Sequence, residues 1–170
     1  MNALIRPAVR HWLILAFLAS ATMLAIAHAF QTFGGLQPCT LCLRQREVYW
    51  CALAVSGTGV ALGLIPPAAR LRPLICAALA LIFLYGAGLA AYHAGAEWKW
   101  WPGPSTCSSA GGGASAAALA QLMQGGRIAA PRCDEAAWRM AGLSMAGWNV
   151  LASLAFAGFS VAAALPGRRS

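Results

Sequence analysis

Charged residues are scarce in this sequence. Asp, Glu, Lys and Arg make up only 9% of its 170 residues, and the acidic residues number four. A soluble domain ordinarily has about 25% charged residues, so this composition excludes an ordinary soluble globular protein. Hydrophobic residues account for 60% of the chain. Together these values predict an integral membrane protein.

Motifs for nucleotide and haem binding are also missing. The chain contains neither the glycine fingerprint of a dinucleotide-binding fold nor a phosphate-binding loop. Leu43 follows the segment Cys39-Thr40-Leu41-Cys42 at the position where a covalently attached c-type haem requires His. If the protein transfers electrons, it must therefore pass them to a different kind of acceptor.

Long uncharged stretches are the main feature that is present. Four of them contain no Lys, Arg, Asp or Glu: 11–30, 48–65, 74–92 and 143–165. A helix needs about 17 to 25 residues to cross the hydrocarbon core of a bilayer, and each stretch is long enough. We therefore predict an all-α membrane protein, a single integral membrane domain with four transmembrane helices in an antiparallel bundle.

The first stretch has an alternative interpretation. Arg6 and Arg10, the apolar run and Ala27-His28-Ala29 together resemble a cleavable signal peptide. The apolar run is longer than the usual core of such a peptide, which favours a transmembrane helix. Cleavage would leave three spans and would move no later loop to the other side of the membrane.

The basic residues predict the orientation in the membrane. The start of the chain, the second connection and the end of the chain contain arginines but no acidic residue: Arg6, Arg10, Arg70, Arg72, Arg168 and Arg169. Cytoplasmic segments carry the excess of Lys and Arg, so both termini are predicted to be cytoplasmic. The loops 31–47 and 93–142 then lie on the outer side. The net charge of +8 reflects this topology, and no nucleic-acid partner is expected.

The six cysteines fall into two groups. Cys51 and Cys76 lie in predicted spans, where cysteine usually behaves as a small hydrophobic residue, and we assign them no function. The others lie on the outer side, where disulfides persist in bacteria: Cys39, Cys42, Cys107 and Cys133. Four cysteines allow three pairings, and their positions alone do not choose among them.

The spacing of Cys39 and Cys42 nevertheless indicates chemistry. It is the C-x-x-C spacing of thiol-disulfide oxidoreductases, and the nearby cations of Arg44 and Arg46 favour a thiolate. Two purely structural disulfides remain an alternative. A zinc site built from all four outer cysteines is disfavoured, because the second pair lacks the close ligand spacing of zinc modules. We therefore predict a reactive dithiol and no metal.

Electrons accepted by such cysteines must leave again. A membrane-dissolved quinone is the economical acceptor, since it takes two electrons and two protons. Arg46 lies near the membrane boundary, where it would polarise a quinone carbonyl and stabilise the Cys42 thiolate; an interfacial arginine that extends to water is the alternative. His93 and Glu97, at the mouth of the other outer loop, are candidate proton carriers, although for His93 alone the position slightly favours a plain interfacial polar residue.

At this point the sequence resembles the DsbB family of quinone-linked disulfide bond formation proteins. The resemblance covers nearly the whole chain and rests on three segments in order. The first is Pro38-Cys39-Thr40-Leu41-Cys42 with Gln45-Arg46, and the second runs from Tyr92-His93-Ala94-Gly95 through Trp101-Pro102-Gly103-Pro104 to Cys107. The third is Cys133-Asp134 ahead of Trp138 and the last span.

The resemblance implies a function, a location and the two disulfide pairs. A reduced thioredoxin-fold protein of the DsbA type would attack Cys107 of a Cys107/Cys133 disulfide in the periplasm. Cys133 would then attack Cys39 and release Cys42 as a thiolate facing ubiquinone or menaquinone, so the protein would be an inner-membrane enzyme, a quinone-dependent protein thiol oxidoreductase. The family's quinone site matches Arg46, and His93 and Glu97 less closely because the spacing to the following prolines varies.

Two other functions remain as alternatives. A membrane scaffold would carry structural disulfides that never turn over. A conduit that moves reducing power outward should have its working cysteines inside the spans, whereas this C-x-x-C segment lies at the outer end of one.

Overall fold

The computed structural model describes residues 5–104, 123 and 133–165. Four long helices dominate this part of the chain: α2 (Trp12–Thr32), α3 (Thr40–Gly63), α4 (Arg72–Glu97) and α5 (Met145–Ala164). A short helix α1 (Ile5–Arg10) precedes them, and a 3₁₀ turn (Ala68–Leu71) leads into α4. Two short strands, β1 (Arg139–Met140) and β2 (Leu143–Ser144), pair antiparallel just before α5.

Three of the described helices are long and apolar enough to cross a membrane: Trp12–Thr32, the 3₁₀ turn with α4 (Ala68–Glu97), and Met145–Ala164. Many of their large apolar side chains are exposed, as a lipid-facing surface requires, for example Leu18 at 54% and Leu81 at 68%. The chain is therefore a mostly helical, multi-pass membrane protein. The prediction of four spans is supported for these three.

Helix α3 begins within the predicted first outer loop. Its 24 residues would extend about 36 Å, but Arg44, Arg46 and Glu47 lie in its first two turns. These charges lower the mean hydropathy of α3, which explains why α3 is not among the helices apolar enough to cross a membrane. We propose that 48–63 is the membrane-spanning part of α3 and that 40–47 lies at the outer surface, so that α3 supplies the fourth span.

The helices pack around a core of aromatic and small side chains. Trp12 stacks on Phe159, with ring centroids 5.1 Å apart, and its indole N–H donates to Ser160 Oγ over 2.8 Å. Phe83 of α4 is fully buried and contacts the Phe156 ring at 5.3 Å. These contacts join the start of α2 to the end of α5, and α4 to the middle of α5.

A tight hairpin sets the start of α5. Ala141 and Gly142 both have positive φ, 51° and 82°, between the paired strands. Two such residues form the turn that matches the twist of a hairpin. Ser144 then caps α5, because its hydroxyl oxygen accepts from the Gly147 N–H over 3.2 Å. The hairpin thereby connects the segment that begins at Cys133 to the last helix.

Candidate active site

Cys39 and Cys42 form the centre of the site at the start of α3. Cys39 is the N-cap residue, and its sulfur accepts a hydrogen bond from the Cys42 backbone N–H over 3.3 Å. The cap brings the two sulfurs to 2.9 Å from each other. Both are free thiols. A disulfide of about 2.05 Å between them requires only a small rotation of the side chains.

The two thiols differ in acidity. The hydrogen bond from the Cys39 thiol lowers the pKa of Cys42 from 9.0 to about 7, and a hydrogen bond with the Cys39 backbone and the charge of Arg46 lower it further. The same thiol–thiol hydrogen bond, burial and the charge of Cys42 raise the pKa of Cys39. Cys42 is therefore the thiolate of the pair near neutral pH, and Cys39 keeps its proton.

Helix α4 brings His93 and Glu97 to this pair. His93 Nε2 lies 3.7 Å from the Cys39 sulfur and 3.7 Å from Glu97 Oε1. Both side chains are buried. Among the described residues, the second carboxylate oxygen, Glu97 Oε2, has no hydrogen-bond partner. The structure thus places both predicted proton carriers beside the sulfurs.

A chain of buried amides and hydroxyls, which the sequence analysis missed, extends from His93 into the bundle. Gln45 Nε2 donates to His93 Nδ1 over 2.8 Å. The Gln45 oxygen accepts from Asn149 Nδ2, and the Asn149 oxygen accepts from the Tyr49 hydroxyl. Ser153 donates to the same Asn149 oxygen over 3.4 Å. This chain links α4, α3 and α5.

The sequence does contain a signal for this hydrogen-bond chain. Asn149 and Ser153 lie four positions apart inside an uncharged stretch, as do Gln45 and Tyr49 at the start of α3. Residues at this spacing share one helix face. Polar side chains within a span usually face the bundle interior. That pattern predicts two facing polar stripes, although it does not identify the partner of each side chain.

Arg46 contacts α2. Its guanidinium donates to the Gln31 side-chain oxygen over 2.6 Å and to the Ala27 backbone oxygen over 3.0 Å. Its charge nevertheless acts on Cys42, as does that of Glu97 with the opposite sign. Arg46 and Cys42 are four positions apart on one face of α3. The structure therefore places the half-buried Cys42 within electrostatic reach of both groups.

Cys133 lies next to the dithiol. It is fully buried in one apolar cluster with Cys39 and Leu41, against which Cys42 and Leu89 also pack. Cys133 is disulfide-bonded, and Cys107, its predicted partner, lies outside the described residues. The cluster brings the second cysteine segment to the end of α3.

An ion pair holds the Cys133 segment against the end of α4. Lys99 Nζ donates to both the backbone oxygen and a carboxylate oxygen of Asp134, at 2.7 and 2.8 Å. Lys99 also adopts a left-handed backbone conformation, with φ 63°. The contact fixes the residue next to Cys133 relative to Glu97, two positions before Lys99.

The remaining cysteines lie apart from this centre. Cys76 is fully buried in the core, and Cys51 is exposed on the side of α3. Cys51 lines a groove of about 370 Å³ together with Val48, Leu81 and Tyr85, among others.

The site also contains three groups that could bind a metal ion. The sulfurs of Cys39 and Cys42 and a ring nitrogen of His93 lie within 4.8 Å of one another. Thiolate and imidazole are the donors that Zn²⁺ and other soft metals prefer. The cysteine spacing had pointed only to a site made of four cysteines. The structure therefore adds a donor set whose availability depends on the protonation of His93.

Comparison with known proteins identifies the family. The family model described as disulfide bond formation protein DsbB matches residues 9–163. The chain is 31% identical over 162 residues to disulfide bond formation protein B of Methylococcus capsulatus (strain ATCC 33009 / NCIMB 11132 / Bath), covering 91% of this chain and 93% of that protein. The chain belongs to the DsbB family. No solved structure matches it.

Membership of the DsbB family confirms the resemblance inferred from the cysteine segments. It makes the chain a membrane protein of disulfide bond formation, with disulfide oxidoreductase activity. The matched segment 9–163 includes every predicted site residue: Cys39, Cys42, Arg46, His93, Glu97, Cys107 and Cys133.

Proposed function

We propose that the protein reoxidises a periplasmic thioredoxin-fold dithiol protein of the DsbA type and passes the electrons to a quinone of the bacterial inner membrane, ubiquinone or menaquinone. One observation supports this most: Cys39 shares a buried apolar cluster with Cys133, and its sulfur lies 2.9 Å from the Cys42 sulfur. A sulfur in that position is suited to receive electrons from one cysteine pair and pass them to the next. With α3 as the fourth span, both termini would be cytoplasmic.

The thiol chemistry balances as four successive exchanges. A thiolate of the reduced partner attacks Cys107, the Cys107–Cys133 bond breaks, and Cys133 leaves as a thiolate. Cys133 attacks Cys39, the Cys39–Cys42 bond breaks, and Cys42 leaves as a thiolate. The second thiol of the partner attacks its bond to Cys107 and leaves the partner oxidised. Cys107 then reforms its bond to Cys133, which frees Cys39 and leaves two electrons and two protons on the Cys39/Cys42 pair.

The surroundings of Cys42 fit a quinone acceptor. A quinone supplies a sink for two electrons and two protons. Cys42 is only half-buried and has a pKa of about 7, so it is available as an electron-rich thiolate. Arg46 has five N–H donors, of which the contacts to Gln31 and Ala27 use part, and its cation favours negative charge on a nearby oxygen. Glu97 Oε2 is a buried oxygen suited to hold a proton.

Disulfide trapping tests the first exchange. A DsbA-type partner that retains only its attacking thiol should form a stable mixed disulfide with Cys107, because no second thiol resolves it. The complex should be lost in Cys107→Ser and unchanged in Cys51→Ser, a matched control on the exposed side of α3. Failure of the intact, oxidised protein to form the complex would favour the structural-disulfide scaffold. Trapping through Cys51 or Cys76 would favour the outward conduit.

A further inference from the structure

The hydrogen-bond chain from Tyr49 to His93 has a definite direction. An amide nitrogen can only donate, so His93 Nδ1, 2.8 Å from Gln45 Nε2, must accept. A neutral imidazole has one nitrogen that accepts and one that carries hydrogen. The proton of neutral His93 is therefore on Nε2, the nitrogen that lies 3.7 Å from the Cys39 sulfur and from Glu97 Oε1.

The far end of this hydrogen-bond chain has the same direction. The hydroxyls of Tyr49 and Ser153 both donate to the Asn149 oxygen. The Asn149 nitrogen faces Gln45 and donates to its oxygen. Gln45 is left with its nitrogen facing His93. Reversing one of the two amides alone would place two donors or two acceptors against each other inside the bundle.

We propose that Gln45 and Asn149 are positioning residues that hold His93 in its Nε2–H tautomer, so that it presents a hydrogen-bond donor rather than a metal-binding lone pair to the cysteine pair. A metal binds neutral histidine through an unprotonated nitrogen. With hydrogen on Nε2, the donor set of Cys39, Cys42 and His93 lacks its nitrogen ligand. The reduced dithiol is thereby protected from soft metals such as Zn²⁺.

The same tautomer also serves sulfur exchange, a consequence that rests on the proposed function. A donor 3.7 Å from the Cys39 sulfur stabilises negative charge there when that sulfur is released or attacks. The exclusion of metal does not depend on turnover. Its tests therefore stay informative even if the protein oxidises no DsbA-type partner.

Two substitutions should each reverse the direction of the hydrogen-bond chain. In Asn149→Asp the new carboxylate, when ionised, can only accept, so Gln45 must turn its nitrogen toward it and its oxygen toward His93. In Gln45→Glu the ionised carboxylate accepts from Asn149 and from His93. Either change moves the proton of His93 to Nδ1 and frees Nε2. Asn149→Leu interrupts the hydrogen-bond chain without reversing its direction and is the matched control.

Nitrogen NMR of ¹⁵N-histidine-labelled, reduced protein in detergent tests the tautomer. The protein contains three histidines, His11, His28 and His93. The signal that disappears in His93→Gln is that of His93. His28 is an internal reference of the opposite type, since its Nδ1 lies 2.8 Å from the Leu24 backbone oxygen and must carry the hydrogen there. At mildly alkaline pH we expect an Nε2–H signature for His93. An Nδ1–H signature in the wild type would overturn the proposal.

Zinc affinity of the reduced, full-length protein, measured by competition with a chromophoric chelator, provides the second test. Asn149→Asp and Gln45→Glu should bind Zn²⁺ about 10- to 100-fold more tightly than the wild type, the range typical of changes behind a metal-bound histidine. Asn149→Leu should show a smaller gain, and adding Cys42→Ala to Asn149→Asp should abolish it. An unchanged affinity in both reversed variants would contradict the proposal.

Discussion

Cys39 and Cys133 pack in one buried apolar cluster, although 94 positions of the chain separate them. Exchange between two cysteine pairs requires that a sulfur of one reach a sulfur of the other. The fold therefore brings these two residues close together in space despite their separation in sequence. The contacts that hold the Cys133 segment in place should therefore control the rate of exchange.

Lys99 supplies one such contact through its ion pair with Asp134. We expect Lys99→Gln to slow electron transfer from Cys133 to Cys39 about fivefold, the effect of losing about 1 kcal/mol of ordering, with little change in the affinity for the partner. Stopped-flow kinetics of single turnover would measure it. Glu47→Gln breaks another exposed ion pair, with Arg44, and should leave the rate unchanged. An equal slowing in both variants would exclude a specific role for Lys99.

Gly95 provides space for the Trp101 ring at the end of α4. A Cβ built at Gly95 would overlap that ring, whereas one at Gly88 meets no atom of the described residues within 4 Å. We expect Gly95→Ala to destabilise the protein by about 1 to 3 kcal/mol through overpacking. Gly88→Ala, on the same helix, should be neutral or stabilising by up to about 1 kcal/mol. Thermal unfolding in detergent measures both. Equal midpoints would show that Trp101 does not pack against Gly95.

The acidity of Cys42 predicts a pH dependence of alkylation. Because its pKa is lowered from 9.0 to about 7, its reactivity in the reduced protein should be high above pH 7 and should fall as the pH drops below that value. Cys39, whose pKa is raised, should react far more slowly. Mass spectrometry after timed alkylation distinguishes the two. Arg46→Gln should shift the Cys42 midpoint to higher pH, and faster labelling of Cys39 would contradict the assignment.

Arg46 should affect quinone use beyond its contacts with α2. We expect Arg46→Leu to raise the KM for quinone about tenfold, as the loss of one charge-assisted hydrogen bond of about 1.4 kcal/mol would. Gln31→Leu removes one partner of Arg46 but keeps the cation and its bond to Ala27. Its KM should stay close to that of the wild type. If Gln31→Leu raises KM as much as Arg46→Leu, Arg46 acts only by joining α3 to α2.

The sequence was sufficient to predict the helical stretches and the family. Charges are so rare that their absence from 11–30 and 74–92 indicates membrane spans directly. The C-x-x-C spacing of Cys39 and Cys42 by itself indicates thiol–disulfide exchange. The start of α3 was less predictable, because a residue placed in a loop, Cys39, caps the helix with its sulfur and extends it eight positions ahead of Val48.

The site depends on contacts that spacing along the chain does not reveal. Gln45 and Asn149 are 104 positions apart, and the sequence indicates only a polar stripe on the helix of each, not that the two side chains are partners. Arg46 reads as a cation near Cys42, yet its hydrogen bonds join α3 to α2. Such partners are set by how the helices pack, which the pattern of apolar residues determines only in outline.

The transfer of electrons from a protein dithiol to a quinone is the central claim, and quinone absorbance tests it most directly. Purified, quinone-loaded protein in detergent would be mixed anaerobically with a reduced DsbA-type partner, alongside Cys42→Ala and the matched control Cys51→Ala, nine positions further along α3. We predict quinol formation in the wild type and in Cys51→Ala, and none in Cys42→Ala. An intact, quinone-loaded protein that forms no quinol would contradict the account and favour two structural disulfides.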